Sequence, residues 1–196
     1  MGFAWSALGG FSAVTAIVLF TLSIVVYRAN PGRLQVRFLA LVLAFDGMIV
    51  SFGNGILYLT DDHAVAFASQ ATADVALLMD PLVYLLFIGT FPSVLARPFR
   101  GRAARTVLFA LLPVAGALFF WRTDAFLPGI IEGEWTALDA ETGPAFLATV
   151  AALSLSSLLG LVVSIHAWRT SPRGSQQRGQ PPWWPWRSVS ATPSSS

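Results

Sequence analysis

The basic residues of this chain fall in clusters that alternate with acidic connections along five apolar segments. All 12 basic residues are arginines, and every one except Arg122 lies within 28–37, 97–105 or 169–187. The acidic residues outside the apolar segments lie in the other connections, at 61–62 and 124–141. Because short arginine-rich loops stay on the cytoplasmic side of a membrane, this pattern predicts five crossings with the N-terminus outside and the C-terminus inside.

The predicted fold class is an all-α, polytopic bundle of five transmembrane helices. Hydrophobic residues make up 55% of the chain and charged residues only 11%, which lies outside the range of soluble globular domains. Each apolar segment is long enough to cross about 30 Å of hydrocarbon. We therefore expect the lipid bilayer as the main partner, in a prokaryotic plasma membrane. The predicted spans are 11–27, 38–60, 75–95, 103–121 and 144–168.

Two parts of the chain lie outside these spans and carry their own predictions. The mixed, alanine-rich stretch 63–74 is expected to extend the third helix outward or to lie in the membrane interface. Residues 170–196 are rich in Arg, Gln, Pro, Trp and Ser without an amphipathic period, which predicts a disordered cytoplasmic tail. Its tryptophans, Trp183, Trp184 and Trp186, either insert into the inner membrane surface or belong to a reading-frame artefact that replaces further helices.

Small residues recur at every fourth position in the second and fifth predicted helices. Such a ladder lets a neighbouring helix approach closely, so helix packing is the main interpretation, and the ladders also allow a homo-oligomer. The residues of the two ladders are Gly47, Ser51 and Gly55, and then Ser156, Gly160 and Ser164.

Three carboxylates, Asp46, Asp74 and Asp80, fall in or near the predicted spans. An ionisable residue in hydrocarbon costs about 3 kcal/mol or more unless it is paired or hydrated, so each one is a candidate for a functional role. Asp74 is expected at the outer interface, where it costs little. Asp46 lies about 12 Å from the cytoplasmic end of its helix, with no obvious partner at that depth.

Asp80 is the centre of the predicted site. Counted from Arg97, it lies at about the depth of Asn54 on the antiparallel second helix, so a hydrogen bond between the two is expected. Tyr84 follows one turn later on the same face and is expected to donate to the Asp80 carboxylate. With Ser51, these residues would line an outward-facing polar cavity between the second and third helices. The alternatives are a ligand-binding or proton-sensitive site and a purely structural polar clamp.

Several classes of function are excluded or disfavoured by residue content. The chain has no cysteine, which removes disulfides and thiolate chemistry, and its two histidines have no metal-ligand spacing, so no metal or cofactor is expected. His166 is expected to extend toward the inner headgroups. No catalytic motif occurs, so we expect no enzyme activity. Nucleic-acid binding is not expected either, because the arginines are divided among three loops.

The order of these features resembles the N-terminal seven-helix membrane region of some sensor histidine kinases. The pieces that carry the resemblance are Asn30-Pro31-Gly32-Arg33, Asp80-Pro81-Leu82, the motif Trp121-Arg122-Thr123-Asp124, and Phe126-Leu127-Pro128-Gly129. The resemblance covers roughly residues 11–168 and implies that the membrane region detects a ligand or a membrane state and signals to a kinase. This chain departs from the family with five spans in place of seven and no kinase region.

Three hypotheses for function follow from these observations. The first is a sensory or receptor-like membrane module, such as the truncated input domain of a signal-transduction kinase, which acts through a separate cytoplasmic signalling partner. The second is a small transporter, or transporter subunit, that uses Asp46 and Asp80 as protonatable sites at two depths. The third is a membrane scaffold or assembly protein with no ligand.

Overall fold

The computed structural model describes residues 6–133, 136 and 138–170. This part of the chain is mostly helical, and five of its helices are long and apolar enough to cross a membrane. The tail predicted at 170–196 lies outside the described residues, except for Thr170. In chain order the α-helices are α1 (Ala7–Ala29), α2 (Leu34–Met48), α3 (His63–Ile88), α4 (Arg97–Arg100), α5 (Arg102–Trp121), α6 (Thr123–Phe126) and α7 (Pro144–Thr170).

Helix α3 is the centre of the bundle. Half of its apolar span is buried inside the protein, compared with 17% for α1 and for α5. Helix α1 packs along α2, α2 packs on α3, and both α5 and α7 pack on α3. The start of α3 is fixed by Asp62, whose carboxylate accepts hydrogen bonds from the backbone N–H groups of Ala64 and Val65. Most groups on α3 therefore face protein, whereas α1 exposes apolar side chains along its length.

The second long helix, which begins as α2, changes its winding halfway along. After Met48 the chain continues as a π-helical segment (Ile49–Ile56) and a 3₁₀ turn (Leu57–Leu59). Because a π-helix has more residues per turn than an α-helix, residues of this segment turn toward different neighbours. Built β-carbons at Gly47 and Gly55 would meet Phe20 and Ala13 of α1, at 3.1 and 3.9 Å, whereas one at Gly53 would meet Ala73 of α3 at 3.2 Å.

The third long helix differs from the predicted span 75–95. It runs without a break from His63 to Ile88, and it includes both the alanine-rich stretch and Pro81. Ala66 and Ala73 are buried, so the first turns pack in the bundle and do not project from it. The helix ends at Gly89, where any β-carbon would collide with the backbone carbonyl of Phe99. The segment that follows α3 folds back as turns.

A small β-hairpin departs from the predicted all-α fold. Strand β1 (Gly129–Glu132) pairs antiparallel with strand β2 (Leu138–Glu141), with Ile130 opposite Ala140. The buried side chain of Leu138 packs with Leu57 and with Ala66 of α3. The hairpin thus covers the end of the bundle that carries the acidic connections, which we call the acidic end. The opposite end, with the turns at 30–33 and 89–101, is called the arginine end.

Candidate functional site

Two carboxyl groups meet at the centre of the bundle. Asp46, in the last turn of α2, and Asp80, on α3, lie with their carboxyl groups within hydrogen-bonding reach of each other. Asp80 is completely buried, with 0% of its surface exposed, and Asp46 is partly buried. The sequence predicts no partner for Asp46. In the structure its partner is Asp80, the residue at the centre of the predicted site.

The chemistry of this pair requires a proton. An ionised carboxylate only accepts hydrogen bonds, so two ionised groups cannot bond to each other, and their like charges repel. Neither side-chain oxygen of Asp80 receives a hydrogen bond from a donor elsewhere in the described chain. A single shared proton would convert the contact into a short hydrogen bond and halve the buried charge, as in the dyads of aspartic proteases.

Tyr84 contacts a third long helix close to the pair. It lies one turn after Asp80 on α3, and its hydroxyl is within hydrogen-bonding reach of the Ser157 hydroxyl on α7. The predicted hydrogen bond from Tyr84 to Asp80 is wrong, because neither side-chain oxygen of Asp80 receives a hydrogen bond from the described residues. Ser157 was missed, and its only signal was the Ser156-Ser157 doublet within an apolar helix.

The other two residues predicted to join Asp80 make no hydrogen bond with it. The side chain of Asn54 is exposed, so the predicted hydrogen bond between Asn54 and Asp80 is wrong. Ser51 is partly buried in the same π-helical segment. The π-helical winding changes which face each residue occupies, and α3 ends at Ile88, which places Asp80 nearer the arginine end than a count from Arg97 suggests.

An apolar cavity, rather than a polar one, lies between α2, α3 and α5. Its volume is about 490 Å³, and it is lined by Phe45 and Met48 of α2, Val75 and Met79 of α3, and Phe120 of α5, with neighbouring small residues. Asp46, Asp80, Asn54, Ser51 and Tyr84 do not line it. Asp46 and Asp80 are therefore packed between helices and do not form a wall of this cavity.

A second buried polar group occupies α3 toward the acidic end. Asp74 is 2% exposed, and one of its oxygens accepts a 2.8 Å hydrogen bond from the Gln70 amide. Its other oxygen has no partner among the described residues. Ser69 donates to the backbone carbonyl of Phe52 in the π-helical segment. Asp74, which the sequence places at the outer interface, is thus buried in the bundle, and α3 begins three turns before it.

The ladder residues on α7 face α3. Ser156 and Gly160 are buried, and a built β-carbon at Gly160 would lie 3.7 Å from Ile88 and 3.9 Å from Tyr84. Ser164 is partly buried and donates to the backbone carbonyl of Gly160. Tyr84 and Ser157 therefore meet where α7 approaches α3 closely.

Fold and site together define a class: a mostly helical protein with five helices long and apolar enough to cross a membrane, and a buried carboxyl pair between them. The described residues contain no group of three or more His, Asp or Glu that could hold a metal ion. No protein-family model, curated protein or solved structure matches the chain.

Proposed function

We propose that this protein is a sensory module of a cell membrane in which the Asp46–Asp80 carboxyl pair acts as a proton-sensitive switch. The observation that carries the proposal is the complete burial of Asp80 against a second carboxyl group, without a hydrogen-bond donor elsewhere in the described chain. A protein rarely keeps two buried acids in contact for packing alone, because apolar residues of similar volume cost less.

The proposed topology has five crossings, with the arginine end in the cytoplasm. Arg28, Arg33 and Arg37 lie at this end, as do the arginines of the turn before α5 and Arg169 at the end of α7. Trp121 and Trp168 support membrane placement, because they are 78% and 70% exposed near opposite ends of the bundle, where indole rings favour the headgroup layer.

The switch would work through repulsion between like charges. With one shared proton, the pair holds α2 against α3. Loss of that proton leaves two negative charges in contact in a region of low dielectric, which favours separation of the two helices. Tyr84 and Ser157 would carry the displacement to α7, which ends at Thr170 at the arginine end and leads into the tail. A separate cytoplasmic partner that contacts this end would receive the signal.

A pair of introduced spin labels tests the proposal directly. The chain has no cysteine, so Gly32→Cys and Gly101→Cys would be the only labelling sites. A β-carbon at Gly101 meets no atom within 4 Å, and one at Gly32 meets only the Asn30 side chain, at 3.6 Å. These positions report the separation of the α1–α2 turn from the turn before α5. The distance distribution is measured by pulsed electron paramagnetic resonance in liposomes over a range of pH.

The expected result is a distance that changes with pH in the labelled wild-type background. The change should disappear in the Asp46→Asn and Asp80→Asn variants, because an amide cannot gain or lose the proton. Asp74→Asn is the matched control, since Asp74 is also buried on α3 but is bonded to Gln70, and it should keep the change. A pH response that survives both pair substitutions would exclude the pair as the switch.

The second candidate function is proton-coupled transport, favoured by polar groups spaced along α3, of which Gln70, Asp74 and Asp80 are buried and Tyr84 is partly buried. Gln70, Asp74, Asp80 and Tyr84 extend over about 21 Å of the helix, which is most of the hydrocarbon thickness. A pH-sensitive dye inside liposomes distinguishes the two candidates. A sensor leaves the internal pH unchanged, whereas proton entry that is lost in Asp46→Asn would favour the transporter.

A further inference from the structure

A second cavity lies between α1 and α2, at the arginine end. Its volume is about 420 Å³, and its walls come only from these two helices. Arg28 in the last turn of α1 and Arg37 in the first turn of α2 both line it, on either side of the connecting turn. Both guanidinium-bearing side chains are exposed. The two arginine side chains therefore lie at the opening of this cavity, which we also call the cleft.

The cavity changes from cationic to apolar along the helices. From Arg37 it extends down α2 past Leu41 to Ala44, about 10 Å deeper, and from Arg28 it extends down α1 to Ile24. Leu41 and Ile24 are 42% and 54% exposed, so this part of the cleft is open on the outer side of the bundle. A ligand that fills it needs an anionic head and an apolar body.

Arg28 and Arg37 have no acidic partner nearby on α1 or α2. The closest carboxylate on either helix is Asp46, nine residues beyond Arg37 and so about 13 Å deeper, where it contacts Asp80. The Nε–H group of Arg37 donates to the Pro31 carbonyl, which holds the guanidinium over the turn and leaves its terminal nitrogens for a ligand. Arginine presents such nitrogens in a planar fork that matches phosphate oxygens.

From this arrangement we infer that the cleft binds one anionic phospholipid, with the phosphate between Arg28 and Arg37 and an acyl chain along Ile24, Leu41 and Ala44. Basic pockets between helices on the cytoplasmic side are suited to anionic headgroups. Tyr27, which also lines the cavity, provides an amphipathic ring at headgroup depth. The inference rests on the proposed membrane placement but not on the Asp46–Asp80 switch.

Native mass spectrometry of the full chain in detergent tests this site. The protein is incubated with equal amounts of phosphatidylglycerol and phosphatidylcholine that have the same acyl chains. Wild type should retain mainly phosphatidylglycerol. Replacing both arginines, Arg28→Gln with Arg37→Gln, should weaken its binding about 30-fold, because each cation near the surface contributes about a fivefold factor. Size-exclusion profiles and helix content show that each variant is folded.

A matched control removes the same charge at the same end. Arg33 and Arg102 do not line the cavity, so the double variant Arg33→Gln with Arg102→Gln should bind phosphatidylglycerol like wild type. An equal loss in this control would overturn the inference, because the attraction would then belong to the whole basic surface. Equal retention of phosphatidylcholine by wild type would also overturn it, because the cleft would then not select a headgroup with a net negative charge.

Two further measurements separate a lipid from a free anion. Ala44→Leu fills the apolar end of the cleft and should reduce lipid retention while both arginines remain. Inorganic phosphate, added in excess, should not displace the lipid, because it gains nothing from the apolar wall. Unchanged retention in Ala44→Leu, or displacement by inorganic phosphate, would identify the cleft as a site for small anions and overturn the lipid assignment. Neither measurement depends on Asp46 or Asp80, so the sensory proposal stands or fails separately.

Discussion

The Ser93 hydroxyl lies 3.0 Å from Nδ1 of His166 and joins the turn after α3 to the last turns of α7. The same hydroxyl accepts a hydrogen bond from the backbone N–H of Leu95, and Ser93 is only 2% exposed. The sequence had predicted that His166 extends toward the headgroups, but it is partly buried in this contact. The arginine ends of α3 and α7 are therefore tied together by side chains as well as by packing.

Removing the Ser93 hydroxyl is expected to destabilise the bundle. Ser93→Ala removes the partner of His166, and the free energy of unfolding should fall by about 1 kcal/mol, the usual size for such a bond. Ser154→Ala is the matched control, because the exposed Ser154 bonds only to the Val150 carbonyl of its own helix. Unfolding by denaturing detergent, followed by circular dichroism, provides the measurement. A loss no larger than that of the control would show that the contact adds no stability.

Replacing one acid of the pair by its amide should remove a pH dependence of stability. In wild type, loss of the shared proton as pH rises leaves two adjacent charges, so the free energy of unfolding should decline with rising pH. Asp80→Asn supplies an N–H donor to Asp46 at every pH, and its stability should stay level. The difference at alkaline pH should be about 2 kcal/mol in favour of the variant. The same detergent titration at several pH values measures it, and parallel curves would contradict the shared proton.

Close packing between the π-helical segment and α3 should be sensitive to side-chain size at Gly53. A β-carbon there already lies 3.2 Å from Ala73, so Gly53→Val should overpack the contact and cost about 2 kcal/mol. Gly101→Val tests the same substitution in open space and should change stability by less than about 0.5 kcal/mol. Thermal unfolding in detergent compares the two variants. Equal effects would mean that α2 and α3 are less closely packed than the 3.2 Å contact indicates.

The proposed orientation makes a clear labelling prediction. In a chain without native cysteine, Gly101→Cys at the arginine end should react with a membrane-impermeant maleimide only after cells are opened. Gly129→Cys, in β1 at the acidic end, should react in intact cells, and a β-carbon there meets only Glu141, at 3.8 Å. Gel-shift of the labelled protein measures both. The reverse pattern would place the N-terminus in the cytoplasm.

Hydropathy and charge predicted the helical architecture well but missed one helix boundary. All five apolar segments correspond to long helices, since length and composition determine whether a helix is long enough to cross a bilayer. The predicted third span was displaced toward the C-terminus because the alanine-rich sequence was interpreted as an outward extension or an interface segment. Pro81 lies inside α3, and Ala66 and Ala73 are buried by neighbours that composition does not reveal. The hairpin was missed because its strands have only four residues each.

The site depended on relative depth, which the sequence alone could not provide. Asp80 lies eight residues before the end of α3, or about 12 Å, which equals the depth predicted for Asp46. Counting from Arg97 added nine residues that lie beyond the end of α3. The depth assumed for Asp80 was therefore doubled, which made Asn54 its expected partner. Polar residues in apolar helices marked Asp46 and Asp80 as candidates, but the sequence did not predict that they meet, because which helices meet at each level is a tertiary property.

The position of Asp80 on the third helix also bears on how the protein is made. In the proposed topology, α1 and α2 leave the ribosome before α3, so Asp46 would reach the membrane before its partner on α3. Until then the carboxyl must stay protonated, remain near the translocation channel or draw in water. In that topology, insertion of α3 would end the exposure by bringing the two acids into contact. The contact between the two carboxyl groups would therefore also favour correct insertion of the third helix during biogenesis.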